Sequence, residues 1–433
     1  MGRMFSYWLR CGLGVAIALG CLLLSGCQGT VANGDEVIHL TLWHGVNPPP
    51  NRVVLQQLVD RFNQTHPQIQ VEALYVGQAE QQIPKILASV VGDVPPDLLW
   101  YSPMLTGRLV ELKAIRPLED WFAQSPVAAQ LDPALQTSMT WEGHLWSVPF
   151  GTNNVGIFYR PSLFEAAGIT DLPTTWEEFR AIAQRLTQPE RNQRGVLLPL
   201  GKGEWTVFMW LPFLWSAGGD LQTESGQVKL DSPEAIAALQ FWRDMMESGS
   251  AILSQPERGF ELDSFLAGKV AMQLTGPWTL AQLDATGVDY AVMPIPSAQR
   301  SATSIGGENL FVFKTHPTRE QAALTFLDYV LSEEFQTEWA IGTGYLPVNL
   351  RSRQNPVYQA YVASHPAVQV FLEQAQYGRS RPLFPGYSRL SELLGQAIEA
   401  VLLNQQTPAQ ALQTAQKRLQ RVLGQEMDSK NKS

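Results

Sequence analysis

Tryptophans beside glycines are the residues of this chain best suited to contact a hydroxyl-rich molecule. The chain contains 13 tryptophans. Trp205 ends the glycine-containing stretch at residues 201–205, Trp278 follows a Gly276-Pro pair, and Trp43 ends a strand-like segment. A sugar presents an apolar C–H face surrounded by hydroxyl groups, so a flat indole can cover that face while polar groups reach the rim. We therefore predict that these residues, Gly276 included, form a ligand site. The alternative for each ring is ordinary core packing.

Polar side chains with complementary chemistry lie in similar segments. Asn153 and Asn154 follow a Pro-Phe pair, and Glu308 follows Gly307. An amide both donates and accepts hydrogen bonds, and a carboxylate accepts from two neighbouring hydroxyl groups. Gly307 has no side chain, which allows the backbone to approach a ligand closely. We predict ligand contacts from these four residues and from His44. Turn formation is the open alternative for the asparagines, and turn capping for His44.

The sequence lacks the residue patterns of common enzyme classes. The six histidines are scattered without His-Glu-x-x-His spacing, and neither a Gly-x-Ser-x-Gly motif nor a Walker loop is present. Paired carboxylates and aromatics also build glycosidases, but spacing singles out no acid pair. We predict a binding protein without catalysis, cofactor or metal, with a glycosidase as the alternative. The formal net charge of -9 and the lack of a basic run argue against nucleic acid as a partner.

The N-terminus has the composition of an export signal. Two arginines precede an apolar run at residues 12–24, and the run ends in Leu-Ser-Gly-Cys at residues 24–27. This ending resembles the lipobox of bacterial lipoproteins, in which the cysteine carries the lipid. We predict a signal peptide at 1–26, a lipid-anchored Cys27 and a tether at 27–36, with an uncleaved anchor helix as the alternative. The mature protein would lie in the periplasm or on the cell surface and would contain no internal disulfide, since the other cysteines are removed.

The remaining chain alternates strand and helix patterns. With 433 residues it exceeds one ordinary core, so we expect at least two lobes. Residues 37–43, 69–75 and 97–101 resemble strands, separated by a helix that Asn51 could cap and by a second helix at 80–91. This order predicts a parallel sheet covered by helices, with ligands beyond the carboxyl ends of its strands. Later helices are predicted from a capping box of Thr174 or Thr175 with Glu177 or Glu178, and from Pro233 and Pro408 in first turns.

Eight short motifs follow one another through the chain. They are Thr41-Leu42-Trp43-His44, Arg61-Phe62-Asn63-x-x-His66-Pro67, Pro95-Pro96-Asp97-Leu98, Pro149-Phe150, Pro173-x-Thr175-Trp176-Glu177-Glu178-Phe179, Phe265-x-x-Gly268-Lys269-Val270-Ala271-Met272, Ile305-Gly306-Gly307 and Thr343-Gly344-Tyr345-Leu346-Pro347. As an ordered set they resemble the extracellular solute-binding proteins of the maltose and glycerol-3-phosphate type, which serve ABC importers. The similarity extends over essentially the whole mature chain.

This resemblance implies an α/β, periplasmic-binding-protein-like fold with two discontinuous lobes, a hinge and an interlobe cleft. The implied boundaries are 37–149 and 304–349 for lobe 1, 150–303 and 350–425 for lobe 2, and 426–433 for a tail. The lobes would close over a ligand and present it to the transmembrane permease subunits, and the protein would be a monomer. Tyr345 and Arg381 are implied as cleft residues, with pairing of Arg381 to Glu308 as the alternative in an empty cleft.

The resemblance is closest to receptors for glycerol 3-phosphate and glycerophosphodiesters, but Glu308 departs from their pattern. A carboxylate about 4 Å from a phosphate costs about 4 kcal/mol at an effective dielectric of about 20. We therefore predict an uncharged sugar or polyol, such as a glycosylglycerol or a disaccharide. A phosphorylated ligand stays open as the alternative, as does a sensing role in place of transport.

Overall fold

The computed structural model describes residues 37–201, 204–223, 225–255, 259–384 and 386–430, apart from the side chains of 79–80 and 425–430. The predicted signal peptide, Cys27 and the tether lie outside the described residues. The described residues from Ile38 onward form one compact unit. Throughout the described ranges, no helix combines the length and the apolar character needed to cross a membrane.

The strands form two five-stranded sheets and two smaller ones. The order is β2-β1-β3-β14-β6 in the first sheet, β10-β9-β11-β8-β12 in the second, and β15-β13-β7 and β4-β5 in the others. The strands are β1 (Ile38–His44), β2 (Ile69–Tyr75), β3 (Leu98–Tyr101), β4 (Thr140–Trp141), β5 (His144–Leu145), β6 (Val148–Pro149), β7 (Asn153–Asn154), β8 (Gly156–Tyr159), β9 (Arg194–Leu198), β10 (Ala251–Leu253), β11 (Val270–Thr275), β12 (Ala291–Met293), β13 (Thr303–Gly306), β14 (Asn309–Val312) and β15 (Gly378–Arg379).

The helices cover the sheets and connect their strands. They are α1 (Pro49–Thr65), α2 (Ala79–Val91), α3 (Thr106–Glu111), α4 (Glu119–Phe122), α5 (Gln136–Met139), α6 (Pro161–Ala166), α7 (Trp176–Arg185), α8 (Glu204–Ser216), α9 (Pro233–Glu247), α10 (Asp263–Leu266), α11 (Leu280–Thr286), α12 (Pro317–Val330), α13 (Glu333–Thr343), α14 (Leu350–Gln354), α15 (Pro356–Ser364), α16 (Pro366–Gln374), α17 (Tyr387–Leu402) and α18 (Pro408–Lys430). The last helix therefore extends into the segment predicted as a tail.

The first sheet has the predicted parallel beginning. β1 pairs in parallel with β2, from Ile38 opposite Ile69 to His44 opposite Tyr75, and with β3 on its other side. β14 is antiparallel to both β3 and β6. Parallel neighbours require crossover connections, which α1 and α2 supply here. The loops after these parallel strands consequently open at one edge of the sheet.

The second sheet repeats this plan. β9 pairs in parallel with β10 and β11. β8 is antiparallel to β11 and β12. Its core includes the fully buried indoles of Trp210, Trp215 and Trp242. Trp176 stacks on Phe241 with ring centroids 4.6 Å apart. Trp176 and Trp242 therefore have core-packing roles.

The two large sheets are joined through adjacent strands. The chain leaves the first sheet at β6, passes through β7 and enters the second sheet at β8. It returns from β12 through β13 to β14. β7 and β13 pair antiparallel, with Asn153 opposite Gly306 and Asn154 opposite Ile305. Two crossing segments thus lie side by side, directly next to the predicted polar residues.

Local helix signals are confirmed in three cases and wrong in a fourth. Thr175 Oγ1 accepts a hydrogen bond from Glu178 N at 3.2 Å, and Glu178 Oε2 accepts one from Thr175 N at 3.1 Å. Pro233 occupies the first turn of α9, and Pro408 begins α18. Asn51, however, does not cap α1, because the helix begins at Pro49, where proline already suits the first turn. Asn51 is instead fully buried within the helix.

Candidate functional site

A cleft of about 800 Å³ opens at the carboxyl ends of β1, β2 and β3. Segments after these strands form one side, and residues of α8, α17 and the turn after β11 form the other. Seven predicted site residues are among those that line it: Asn153, Trp205, Trp278, Gly307, Glu308, Tyr345 and Arg381. The cleft therefore lies where a ligand is predicted for a parallel sheet, beyond the carboxyl ends of its strands.

Trp205 and Trp278 form an aromatic corner of the cleft. Their ring centroids are 6.0 Å apart and their planes meet at 66°. Trp205 lies in the first turn of α8, and Trp278 lies in a short 3-10 helix after β11. Both indoles are partly buried against the surrounding core. Two rings at this angle offer faces to different sides of a bound molecule.

Gly276 lets the Trp278 ring lie back over its own turn. A Cβ atom at Gly276 would be 2.0 Å from Cζ3 of that indole. The backbone there is ordinary, with φ of -128°, so only the close contact requires glycine. Gly276 does not line the cleft itself. The structure therefore places it beneath the aromatic surface, as a positioning residue.

Asn51 contacts the backbone of the Trp278 segment. Its Nδ2 atom donates to the backbone oxygen of Trp278 at 3.2 Å, although the two residues are 227 positions apart. This bond connects α1, beside the first sheet, to the turn that follows β11 of the second.

A glycine turn places Glu308 in the cleft. Gly307 has φ of +119°, and a Cβ atom there would be 2.1 Å from the backbone oxygen of Gly151. Only glycine fits both conditions. Tyr345 donates its hydroxyl hydrogen bond to Glu308 Oε2 at 3.3 Å. A carboxylate and a phenol are thus presented together.

Arg381 forms an ion pair with Glu204 and not with Glu308. Its Nη1 lies 2.6 Å from Glu204 Oε1, and its side chain is only 7% exposed. Burial would lower the pKa of Arg381, but the adjacent Glu204 carboxylate outweighs this effect and raises it. The predicted alternative pairing with Glu308 is therefore wrong. Glu204 begins α8 beside Arg381 and is the nearer acceptor.

Two further donors converge on Glu204 from α17. The Tyr387 hydroxyl donates to Oε1 at 2.8 Å, and the Ser391 hydroxyl donates to Oε2. Tyr387 is almost fully buried, and burial together with Glu204 raises its pKa, which keeps the hydroxyl protonated as a donor. Phe208, one turn after Glu204, lies under the Arg381 guanidinium at 4.7 Å. These cleft residues were not predicted, although the four-residue spacings 204/208 and 387/391 place each pair on one helix face.

Three residues that are predicted to contact a ligand do not line the cleft and interact with other parts of the protein. Trp43 packs against the apolar cluster behind β3. Asn154 donates to the Phe371 backbone oxygen at 2.8 Å and accepts from Gln374 Nε2 at 2.6 Å. His44 is buried, and its Nδ1 accepts from Val46 N at 3.3 Å, which matches the turn-capping alternative. Asparagine and histidine side chains can hydrogen-bond to protein groups as readily as to a ligand. Here Asn154 bonds a carbonyl distant in sequence, and His44 accepts from a nearby amide.

Within the described residues, no group of three or more His, Cys, Asp or Glu could hold a metal ion. The charged residues at the cleft rim form short-range pairs on single helices. Arg108 lies 3.3 Å from Glu111 on α3, and Arg389 lies 3.0 Å from Glu392 on α17. The site is thus an aromatic cleft with hydrogen-bonding groups, chemistry suited to holding a polar molecule.

A family model for bacterial extracellular solute-binding proteins matches residues 57–367, which is more than half of the chain. The chain is also similar to the sn-glycerol-3-phosphate-binding periplasmic protein UgpB of Escherichia coli (strain K12). Their identity is 23% over 436 residues, covering 94% of this chain and 96% of the relative.

Solved structures share the fold. A solute-binding protein of an ABC transporter from Thermotoga lettingae, bound to α-D-tagatose, superposes with a TM-score of 0.80 at 23% identity, covering 89% of this chain and 100% of that one. UgpB from Mycobacterium tuberculosis, in complex with glycerophosphocholine, gives a TM-score of 0.81 at 22% identity, covering 90% and 99%. The predicted periplasmic-binding-protein-like α/β fold is confirmed.

Proposed function

The chain belongs to the bacterial extracellular solute-binding proteins, and we propose that it captures a sugar or polyol for delivery to the permease of an ABC importer. Proteins of this family bind solutes and do not transform them. The observation that carries the proposal is the corner of Trp205 and Trp278 facing hydrogen-bonding groups across one cleft.

The cleft chemistry matches a hydroxyl-rich ligand. Indole faces cover the C–H face of a sugar, and Glu308, Tyr345 and Asn153 supply acceptors and donors for its rim. A volume of about 800 Å³ lies in the range of sites for ligands of intermediate size. This size suits a disaccharide or a glycosylglycerol.

A glycerol-3-phosphate or glycerophosphodiester receptor is the second candidate. It is favoured by Arg381, a buried cation at the cleft wall, and by the ligands named for the two UgpB relatives. The Glu204 carboxylate on Arg381 favours the uncharged ligand instead.

Delivery would depend on closure of two lobes. The paired crossing strands β7 and β13 are suited to act as the hinge, because they are short and join the two large sheets. We propose lobe boundaries at 37–149 with 304–349, and at 150–303 with 350–425. A ligand that binds the closed form more tightly shifts the population toward that form, which the permease would recognise. We further propose a monomer anchored through a lipid on Cys27, outside the cytoplasm.

The test is a ligand screen of the soluble protein that begins at Gln28. Sugars, polyols and their phosphates are compared by thermal shift, followed by calorimetry and small-angle scattering. Ligand at 100 times Kd stabilises a protein by about 2.7 kcal/mol, which gives a clear rise in Tm. We expect an uncharged sugar or polyol to raise Tm and to reduce the radius of gyration. Failure of every compound to do either would reject the proposal.

A further inference from the structure

Arg381 is a buried cation at the wall of the cleft. Its side chain is 7% exposed, and its guanidinium carbon lies 4.7 Å above the centre of the Phe208 ring. Among the described residues, its Nε atom has no hydrogen-bond partner. Protein acceptors therefore satisfy this guanidinium only in part, although burial makes an unsatisfied donor costly.

The carboxylate beside it is held in place by two neutral donors. Tyr387 and Ser391 lie one turn apart on α17, and each donates a hydrogen bond to Glu204. Glu204 also lines the cleft. The Glu204 carboxylate therefore lies at the same wall as the Arg381 guanidinium. Its two further hydrogen bonds restrain it from rotating away from the arginine.

We propose that Glu204 is a specificity-determining residue, which neutralises Arg381 and thereby makes the cleft reject phosphorylated forms of the solutes it binds. This inference rests on the proposed capture of a sugar or polyol. Arginine binds a phosphate most strongly by offering two parallel N–H groups to two oxygens. Here Glu204 already accepts from Nη1, and its charge repels an approaching anion.

An uncharged hydroxyl group meets no such penalty at this pair. It can donate to the carboxylate and accept from the guanidinium at the same time. A phosphate group at neutral pH chiefly accepts, so it satisfies only the arginine. The same ion pair therefore discriminates between a polyol and its phosphate without any change in the shape of the cleft.

Glu204→Gln isolates the charge, because the three hydrogen bonds can be kept. The glutamine Oε1 can accept from Arg381 and Tyr387, and its Nε2 can donate to the Ser391 hydroxyl oxygen. Glu247→Gln is the matched control. It removes the same charge from the Arg243–Glu247 pair on α9, whose residues do not line the cleft.

Calorimetry of the wild type and both variants, at constant ionic strength, tests the inference with maltose, α-D-tagatose and sn-glycerol 3-phosphate. We expect Glu204→Gln to bind sn-glycerol 3-phosphate about tenfold or more tightly than the wild type does, since one repulsive charge is removed. Binding of the neutral sugar should change by less than about threefold, a difference below 1 kcal/mol. Glu247→Gln should resemble the wild type for all three compounds.

No gain by Glu204→Gln, or an equal gain by Glu247→Gln, would overturn the inference. If Glu204→Gln does not fold, the wild type alone decides: binding of sn-glycerol 3-phosphate as tight as that of the neutral sugar would also overturn it. If the wild type bound none of the three compounds, neutral sugars included, the result would instead count against the proposed function.

Discussion

A single methyl group added at Gly276 tests whether the Trp278 indole forms part of the ligand-binding surface. The Cβ atom of alanine would lie 2.0 Å from Cζ3 of that ring. Carbon atoms in favourable contact are about 3.5 Å apart, so the ring or the turn must move by about 1.5 Å. The backbone conformation at Gly276 is open to any residue, and the steric effect is therefore isolated.

The expected loss of affinity follows from the area of the displaced ring. An indole side chain buries about 150–250 Å² in total, of which one face against a sugar accounts for about 80–100 Å². At about 25 cal/mol per Å², displacement of that face costs about 2 kcal/mol. This corresponds to a Kd about 30-fold weaker.

Calorimetry with the tightest sugar or polyol from the screen measures this change. Gly424→Ala is the matched control, because a Cβ atom there meets nothing within 4 Å and the residue is exposed on α18. The control should keep wild-type affinity and gain slightly in stability, by up to about 1 kcal/mol from helix propensity. Wild-type affinity in Gly276→Ala would refute the placement of Trp278 at the ligand.

Four further substitutions test three separate parts of the molecule. Trp205→Ala and Trp278→Ala should each weaken sugar binding by about 1–3 kcal/mol in calorimetry, and unchanged affinity in both would reject the aromatic platform. Burial, with a smaller contribution from Arg52, lowers the pKa of His44 to about 4. The unfolded chain, with an ordinary histidine pKa of about 6.5, binds more protons between these values, so stability should fall by up to about 3 kcal/mol as pH drops from about 6.5 to about 4. His44→Asn keeps an acceptor and should lose this part of the pH dependence in denaturant unfolding; an unchanged slope would contradict it. Cys27→Ser should give a protein whose mass shows no lipid, and a normally lipidated product would disprove the anchor.

The elements that the sequence predicts correctly are those that depend on near neighbours. The alternation of Leu40 and Leu42 in β1 and the capping box of Thr175 with Glu178 involve residues within four positions. Such interactions repeat in any context, and their patterns can be recognised directly. Gly276 belongs to the same class, because its steric need for glycine arises within its own turn, against Trp278. At Gly307 only the positive φ is local, since the close contact is with the backbone oxygen of Gly151 on the other crossing segment.

The sequence does not predict the roles of residues that make contacts with distant parts of the chain. Asn154 faces Phe371 and Gln374, more than 200 positions later in the chain, and these contacts remove it from the cleft. Asn51 has a side chain typical of a helix N-cap, but it lies inside the helix and donates a hydrogen bond to the backbone of Trp278. In both cases an amide that suits a ligand or a turn is satisfied by a distant backbone or side chain, which spacing along the chain does not reveal.

The proposed rejection of phosphate depends on a different carboxylate in the structure from the one that suggests it in the sequence. The sequence suggests Glu308, provided that this carboxylate lies near the bound anion. In the structure Glu204 lies directly on Arg381, the buried cation that a phosphate would need, and Glu308 acts on Arg381 only as a weaker, more distant charge. An acid that opens a helix is usually a solvated end, so Glu204 carries no local signal of its role. Its effect arises because Arg381, Tyr387 and Ser391, all more than 170 positions away, fold onto one carboxylate. Loss of discrimination should therefore follow the Glu204 charge more closely than the Glu308 charge.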